Sequence, residues 1–177
     1  MVNLQQQLKL GRFLNQKIRN ATVCKAKGIT FKSKLEKTLF TILENEGFSP
    51  KYEPYKVILL DFEDSVTPFY DKETTSQHKK RTEELGKADA KKLRLVSNKM
   101  LPITYTPDIY FNYNNVDVWI EVKGMENDVF YLKKKLFRKY LDDKYKLTSK
   151  KSIFFEVYSK KQLMQAINII KHYGENS

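Results

Sequence analysis

The sequence predicts an α/β fold in which helices flank a mixed β-sheet. Along the chain, the apolar periodicities follow the order helix, strand, strand, strand, helix, strand, helix. Residues 103–111 and 116–123 alternate between apolar and polar positions and are rich in β-branched and aromatic side chains, which is typical of strands. A chain of 177 residues is expected to form one domain with a core large enough to fold without disulfides.

At the N-terminus, residues 1–27 are expected to form a basic, partly amphipathic arm, followed by a domain over residues 28–177. Lysines surround Gly28 at the junction, where the chain is expected either to contact phosphates or to form a solvated loop. Residues 61–101 contain many charges and few large apolar side chains, so they are interpreted as an insertion. Within it, residues 82–95 are predicted to be helical.

The first helix of the domain is predicted over residues 33–46. Ser33 is expected to cap it, Glu36 to complete a capping box, and Gly47 to end it. Glu36 also borders the apolar stripe, where a carboxylate needs a partner. Two interpretations of Glu36 therefore stay open, a structural cap and an acid that faces a metal ion.

A β-hairpin is predicted next, with residues 112–115 as a four-residue loop between its strands. Asparagine tolerates the positive φ angles that such turns require. Closing this loop places Phe111 opposite Val116 and Asp108 opposite Trp119. An earlier strand is predicted over residues 52–60, at an edge or beginning after Pro54.

In this hairpin, Asp108, Glu121 and Lys123 share one face, with the two carboxylates as diagonal neighbours about 7–8 Å apart at the backbone. Carboxylates this close repel each other unless a cation lies between them. A hard divalent cation such as Mg²⁺ suits oxygen ligands of this kind.

The C-terminal part is predicted to contain a helix over residues 129–145, a buried strand over residues 152–158 and a last helix. Ser159 and Gln162 form the pattern of a capping box at the start of the last helix. The first of these helices has an apolar face that includes Leu132 and a basic face that includes Lys133, Lys134 and Arg138. The basic face is interpreted as a DNA track, with a solvated helix face as the alternative.

The composition favours an anionic partner. Lys and Arg number 33 against 21 Asp and Glu, giving a net charge of +12, and nucleic acid is the commonest polyanion that basic proteins bind. One cysteine excludes an internal disulfide, and two distant histidines disfavour a zinc site. Residues 1–20 are too polar for a secretory signal and no apolar run suits a membrane span, so a cytoplasmic protein is expected.

Pro107-Asp108, followed by Glu121-Val122-Lys123, resembles the PD-(D/E)XK signature of restriction-like nucleases. The segment FKSKLEKTLFTILENEGF, then KYEPYKV, YTPD and IEVKG, is similar to the phage-type endonuclease I family of Holliday-junction resolvases and to related phage nucleases. The likeness covers about residues 28–140. The insertion departs from that compact family and leaves open the junction preference, but not the metal chemistry.

The resemblance implies a restriction-endonuclease-like core and a DNA endonuclease in the cytoplasm, the host's if the chain is phage-encoded. Asp108, Glu121 and the carbonyl of Val122 would hold Mg²⁺, or Mn²⁺ as a substitute, and Glu36 would help hold a second ion or a water. Lys123 would orient the attacking water or stabilise developing charge. The products would be a 5′-phosphate and a 3′-hydroxyl. The residues expected to contact DNA are Lys27, Lys32, Lys34, Lys133, Lys134 and Arg138.

The sequence leaves several alternatives open. The enzyme could be a general or sequence-selective phage endonuclease or a transposase-type end-cutting subunit, and the chain could instead be a non-catalytic nucleic-acid-binding module or a structural phage protein. A homodimer is expected, because one site cuts one strand at a time and two-fold symmetry supplies a second site. Residues 4–18 and 55–60 are the expected exchange surfaces. No small-molecule cofactor is expected.

Overall fold

The structure, a computed structural model, describes residues 22–124 and 128–175 without the side chains of Asp128 and Glu175. Most of the predicted arm lies outside the described residues. The described strands are β1 (Cys24–Ala26), β2 (Ile29–Phe31), β3 (Lys51–Tyr52), β4 (Val57–Leu60), β5 (Tyr70–Lys72), β6 (Leu93–Leu95), β7 (Ile103–Tyr105), β8 (Ile109–Tyr113), β9 (Val116–Val122) and β10 (Ser152–Val157). The described helices are α1 (Lys34–Asn45), α2 (Thr75–Leu85), α3 (Asp128–Thr148) and α4 (Lys160–Glu175).

The chain divides into two compact units. One comprises Met1–Lys56 and Thr106–Ser177, and the other comprises Val57–Tyr105. The predicted insertion, residues 61–101, falls inside the second unit. None of the helices in residues 22–124 and 128–175 has the length and apolar character that crossing a membrane requires.

The first unit is built on a mixed sheet with the strand order β10-β9-β8-β3. β10 runs parallel to β9, whereas β9 with β8 and β8 with β3 are antiparallel. The parallel pair is joined through α3, as a parallel connection requires. The predicted α/β class with a mixed sheet is therefore confirmed.

The main core lies on one face of this sheet. Because successive side chains of a strand point to opposite faces, Ile109 and Phe111 of β8 lie on the same side as Val118, Ile120 and Val122 of β9. The apolar stripes of α1 and α4 complete this core with Leu39, Phe40, Leu43, Leu163, Ile167 and Ile170. The opposite face carries the acidic residues of the hairpin.

The boundaries of α1 follow the predicted signals. The Ser33 hydroxyl caps the helix by accepting the Glu36 N–H at 3.1 Å. Gly47 has a φ of +86°, and the Phe48 N–H donates to the Leu43 carbonyl at 3.1 Å, which closes the helix as a Schellman motif. The reciprocal half of the predicted capping box differs, since the Glu36 carboxylate accepts from the Lys32 N–H rather than from that of Ser33.

The hairpin between β8 and β9 has a two-residue turn, so the predicted four-residue loop is wrong. Asn114 and Asn115 have φ angles of +47° and +65°, as a type I′ turn needs. Tyr113 therefore pairs with Val116, and Phe111 pairs with Val118. The two registers differ by an even number of residues, so every side chain keeps its predicted face.

Other predicted elements are shorter or lie elsewhere. Residues 103–111 form two strands rather than one, because β7 pairs with β4 and β8 begins after Pro107. The helix predicted over residues 82–95 is wrong: α2 ends at Leu85, Gly86 caps it in the left-handed conformation, and Leu93–Leu95 is a strand. β10, predicted to be buried, is half-buried over most of its length.

In the C-terminal part, Phe130 rather than the predicted Leu132 contributes to the buried face of α3, since Leu132 is 52% exposed. Ser159 accepts the Gln162 N–H at 3.3 Å at the start of α4, as predicted. The Gln162 side chain accepts from the Tyr158 N–H at 2.7 Å, so this capping box is also displaced by one residue.

The second unit contains a buried acid, Glu73, that pairs with an arginine. Glu73, 2% exposed, accepts from the Arg81 guanidinium of α2 at 2.6–3.1 Å and from the Lys92 N–H at 3.3 Å. Arg81 also contacts Asp89 at 2.7 Å. Hydrogen bonds from Arg81 hold the pKa of Glu73 at about 2.

Candidate active site

Asp108 occupies the break between β7 and β8. Pro107 lacks an N–H and cannot continue a strand ladder, so the chain leaves one strand and enters the next at this point. The Asp108 carbonyl accepts the Glu53 N–H at 2.8 Å, which ties it to the end of β3. Its carboxylate accepts the Val122 N–H at 2.7 Å, and the residue is 9% exposed. The side chain is thus fixed against the end of β9.

The second acid of the candidate site is Glu121, which belongs to β9. The last pair of the β8–β9 ladder is Ile109 with Ile120, and Asp108 and Glu121 are the next residue of each segment beyond that pair. Glu121 is 4% exposed. The hydrogen bond from the Val122 N–H and the repulsion from Glu121 show that the Asp108 carboxylate lies near this end of β9. That the two carboxylates share one face of the hairpin stays a prediction.

Lys123 lies two residues after Glu121, on the same face of the strand. Both its backbone and its side chain have partners. Its N–H donates to the Val157 carbonyl at 3.0 Å, which extends the pairing of β9 with β10. Its ammonium group contacts the Glu121 carboxylate and lies 3.8 Å from the centroid of the Phe130 ring. The side chain as a whole is 20% exposed.

The electrostatics of this group favour an added positive charge. Burial, followed by repulsion from Glu121, raises the pKa of Asp108 to about 8, although the hydrogen bond from Val122 and the charge of Lys123 oppose the rise. The charge of Glu36 acts in the same direction as that of Glu121. A carboxylate with a raised pKa is a position where a proton or a cation relieves repulsion.

Glu36 lies at the start of α1 and is 8% exposed. Its carboxylate accepts hydrogen bonds from the Tyr52 hydroxyl at 2.5 Å, the Ser33 hydroxyl at 2.8 Å and the Lys32 N–H at 3.0 Å. Both oxygens are therefore engaged by the protein. Its charge reaches Asp108, but its hydrogen bonds are those of a structural acceptor, so both interpretations of Glu36 stay open.

The donor set can be compared with what a divalent cation requires. Asp108 and Glu121 offer carboxylate oxygens, which Mg²⁺ and Mn²⁺ prefer, and the repulsion between them would be relieved on binding. In the part of the chain that the structure describes, no three acidic, histidine or cysteine side chains are grouped closely enough to hold a metal ion. The residues fit a site with two carboxylates, completed by main-chain or water oxygens.

The six basic residues predicted to contact DNA differ in their surroundings. Lys27 is exposed and pairs with Glu44 at 2.8 Å, and Lys32 is exposed and pairs with Glu53. Lys34 is exposed at the first position of α1. On α3, Arg138 is exposed and Lys133 is half-buried.

Lys134 differs from the other basic residues of α3. Its side chain is 20% exposed, and its ammonium pairs with Glu156 of β10 at 2.8 Å. Lys134 therefore lies against the sheet, and its contact with DNA stays a prediction. An ammonium in this position neutralises a carboxylate of the protein.

Comparisons of the chain with protein-family models, with curated proteins and with solved structures found no match.

Sequence reasoning missed Glu156, which pairs in register with Glu121 across the parallel β9–β10 ladder. Paired residues of adjacent strands point to the same face, so a third strand contributes an acid to this side of the sheet. Alternation within SIFFEVY was the available signal. The partner strand of β10 could not be known from it.

Asp117 was also missed as a buried charge. It is 1% exposed and accepts from the Lys144 ammonium at 2.9 Å, the Tyr110 hydroxyl at 2.9 Å and the Asn112 amide at 3.0 Å, with Lys150 at 3.3 Å. Burial raises its pKa, but these hydrogen bonds outweigh burial, so the pKa lies below its ordinary value. Asp117 is a satisfied structural acid, in contrast to Asp108.

Proposed function

We propose that this protein is a metal-dependent DNA endonuclease that hydrolyses phosphodiester bonds, with branched DNA as its preferred substrate. The observation that carries the proposal is the burial of two carboxylates, Asp108 and Glu121, at one end of the β8–β9 hairpin, where repulsion from Glu121 raises the pKa of Asp108 and the Lys123 ammonium contacts Glu121. Burying these charges lowers the stability of the fold, so the arrangement points to a role other than stability. The proposal includes a restriction-like core, as the PD-(D/E)XK resemblance implies.

The chemistry assigns a role to each residue. Asp108 and Glu121 would bind Mg²⁺ or Mn²⁺ through carboxylate oxygens, with the Val122 carbonyl as a further ligand. The bound cation would lower the pKa of a water and neutralise charge on the phosphate. Lys123 would orient the attacking water or stabilise the charge that develops on the phosphate oxygens. Glu36 would hold a second ion or a water.

The charge of the chain supports an anionic substrate. Residues 57–105 contain nine Lys and Arg against eight Asp and Glu, so almost all of the net charge of +12 belongs to the unit that carries the candidate site. An excess of positive charge in the unit that carries the buried acids suits a phosphate backbone, because it offsets the repulsion that the acids exert on DNA.

The proposal is tested by incubating the purified protein with a labelled four-way junction, linear duplex, single strand and supercoiled plasmid. Each substrate is tested with Mg²⁺, with Mn²⁺ and with EDTA. We expect cleavage that requires a divalent cation, is fastest on the four-way junction, and leaves 5′-phosphate and 3′-hydroxyl ends.

The results separate the alternatives. Equal rates on the junction and on linear duplex would replace the structure-selective enzyme by a general endonuclease. Cuts at one sequence in every substrate would indicate a sequence-selective one. Binding of all substrates without cleavage in any metal would contradict the endonuclease proposal and favour a non-catalytic nucleic-acid-binding module.

A further inference from the structure

The Phe130 ring lies at the first turn of α3 and is 6% exposed. The Lys123 ammonium lies 3.8 Å from its centroid, well inside the distance of about 6 Å at which a cation interacts with the face of an aromatic ring. The same ammonium contacts the Glu121 carboxylate. One cation is thus shared between an acid of the candidate site and a buried ring.

A lysine side chain has several rotatable bonds, so its ammonium can normally adopt many positions in which it stays hydrated. The backbone of Lys123 is fixed by its hydrogen bond to Val157, but that bond does not fix the direction of the side chain. The Phe130 ring restricts this direction, because its face attracts the ammonium and its bulk limits access of solvent on that side. A desolvated cation–π contact is also stronger than an exposed one.

The neighbouring residues keep the ring in place. The Lys134 ammonium lies 5.5 Å from the Phe130 centroid and pairs with Glu156 of β10 at 2.8 Å. This ion pair joins the first turns of α3 to the sheet, one strand away from Glu121. The ion pair therefore holds the start of α3, which carries Phe130, close to the strand next to β9.

We infer that Phe130 is a positioning residue that holds the Lys123 ammonium against Glu121 through a cation–π contact. The inference rests on the proposed endonuclease function for its catalytic consequence. It assigns to α3 a role in the active site that is separate from DNA binding.

The test compares Phe130→Leu, which keeps an apolar side chain but removes the ring face, with Phe130→Tyr, which keeps the ring. Phe137→Leu is the matched control, since Phe137 is a fully buried ring on the same helix that packs on Trp119 and Phe154. We expect Phe130→Leu to lower kcat for DNA cleavage about tenfold with KM within about twofold. Phe130→Tyr and Phe137→Leu should retain kcat within about twofold.

A second measurement is independent of activity. Lysine-labelled protein is studied by NMR, and the Lys123 signals are assigned by their loss in Lys123→Arg. The side-chain protons of Lys123 next to the nitrogen should be shifted upfield by the Phe130 ring current, keep that shift in Phe130→Tyr, and lose it in Phe130→Leu.

Unshifted Lys123 signals in the wild type, or a wild-type kcat in Phe130→Leu, would overturn the inference. A wild-type protein that cleaves no DNA would overturn the proposed function and, with it, the catalytic consequence. The ring-current measurement would then still decide whether Phe130 holds Lys123.

Discussion

At the scale of single residues, the candidate site contrasts with the other buried acids of the chain. Asp117 and Glu73 are each matched by cations and hydrogen-bond donors that hold their pKa values below the ordinary range. Asp108 is buried beside Glu121, and its pKa is raised. A protein that pairs its structural acids but leaves this one under repulsion retains it at a cost in stability.

The first prediction concerns this cost in metal-free protein. The pKa of Asp108 in the folded state, about 8, lies above its value of about 4 in an unfolded chain. The stabilising effect of protonation is therefore complete below pH 4, and it is lost as the pH rises through 8. Asp108→Asn should raise the free energy of unfolding at pH 8 by about 1–3 kcal/mol and reduce its decline between pH 4 and 8.

Urea unfolding in the presence of EDTA, measured across this pH range, checks the prediction. Asp117→Asn is the matched control on β9: because the pKa of Asp117 is lowered, losing its charge should destabilise the protein near neutral pH. Destabilisation by Asp108→Asn as well as by Asp117→Asn would mean that Asp108 is not under repulsion.

The second prediction separates the two interpretations of Glu36. In Glu36→Gln the amide nitrogen cannot accept hydrogen bonds, so one or more of the three donors loses its partner and stability should fall by about 1–2 kcal/mol. If Glu36 also faces the metal, metal-dependent cleavage should fall more than tenfold in protein that is still folded.

Tyr52→Phe is the control for Glu36→Gln, since it removes one hydrogen bond to Glu36 and leaves the charge. It should cost about 1 kcal/mol of stability and leave cleavage within a few fold. Equal cleavage by Glu36→Gln and wild type would show that Glu36 acts as a structural acceptor alone. Thermal unfolding and single-turnover cleavage provide the two readouts.

At the scale of elements, the hairpin shows what the sequence could determine. Alternation in residues 103–111 and 116–123 identified the strands and their faces, because the period of two does not depend on loop length. The loop itself was ambiguous, since Asn112, Asn114 and Asn115 all tolerate turns. The observed register differs from the predicted one by an even number of residues, so the strand side chains kept their predicted faces.

Helical and strand periodicity were less informative elsewhere. Residues 82–95 lack an apolar stripe that would locate a helix. The position of α2 could be found only from the Thr74 cap and from Gly86, and the sequence prediction missed both signals. On α3, the pattern of lysines predicted one basic face. The pairing of Lys134 with Glu156 depends on the strand next to β9, which no local pattern indicates.

The third prediction uses this difference within α3. Lys133→Glu with Arg138→Glu should weaken DNA binding across all sequences and lower its salt dependence by roughly one unit of slope or more, because ion release scales with the phosphates neutralised. Lys134→Gln should change the slope less and cost stability, since it leaves Glu156 without this cation.

Fluorescence anisotropy over a range of salt concentrations, with thermal unfolding of each variant, tests the third prediction. An unchanged slope in the Lys133 and Arg138 double variant would move the DNA track away from α3. The basic residues near the start of α1, Lys27, Lys32 and Lys34, would then be the next to substitute.

At the scale of the whole molecule, charge and exposed apolar surface are distributed unequally. The unit of residues 57–105 is nearly neutral and exposes large apolar side chains, with Val66 at 94%, Leu93 at 71% and Leu101 at 74%. The unit with the candidate site carries the positive charge. Like charge opposes association of two chains through the basic unit more than through the nearly neutral one.

The fourth prediction is that the protein acts as a homodimer. One site cuts one strand, and resolution of a junction needs two cuts placed symmetrically. Ile58 and Leu60 of β4, in the predicted exchange segment, are 53% and 43% exposed, and residues 4–18 lie outside the described residues. Light scattering at micromolar concentration should give the mass of two chains without DNA and of two chains plus the DNA in the complex. A monomer in both conditions that only nicks DNA would contradict paired cutting.

The central claim is that Asp108 and Glu121 bind the catalytic metal ion with Lys123 beside them. Its most direct test is single-turnover cleavage of a labelled four-way junction in Mg²⁺ by wild type, Asp108→Ala, Glu121→Ala and Lys123→Ala, each confirmed to be folded by circular dichroism. We predict that both acid variants abolish cleavage and that Lys123→Ala lowers the rate about 10²-fold with metal affinity little changed. Wild-type cleavage by either acid variant, or cleavage that persists in EDTA, would contradict the claim.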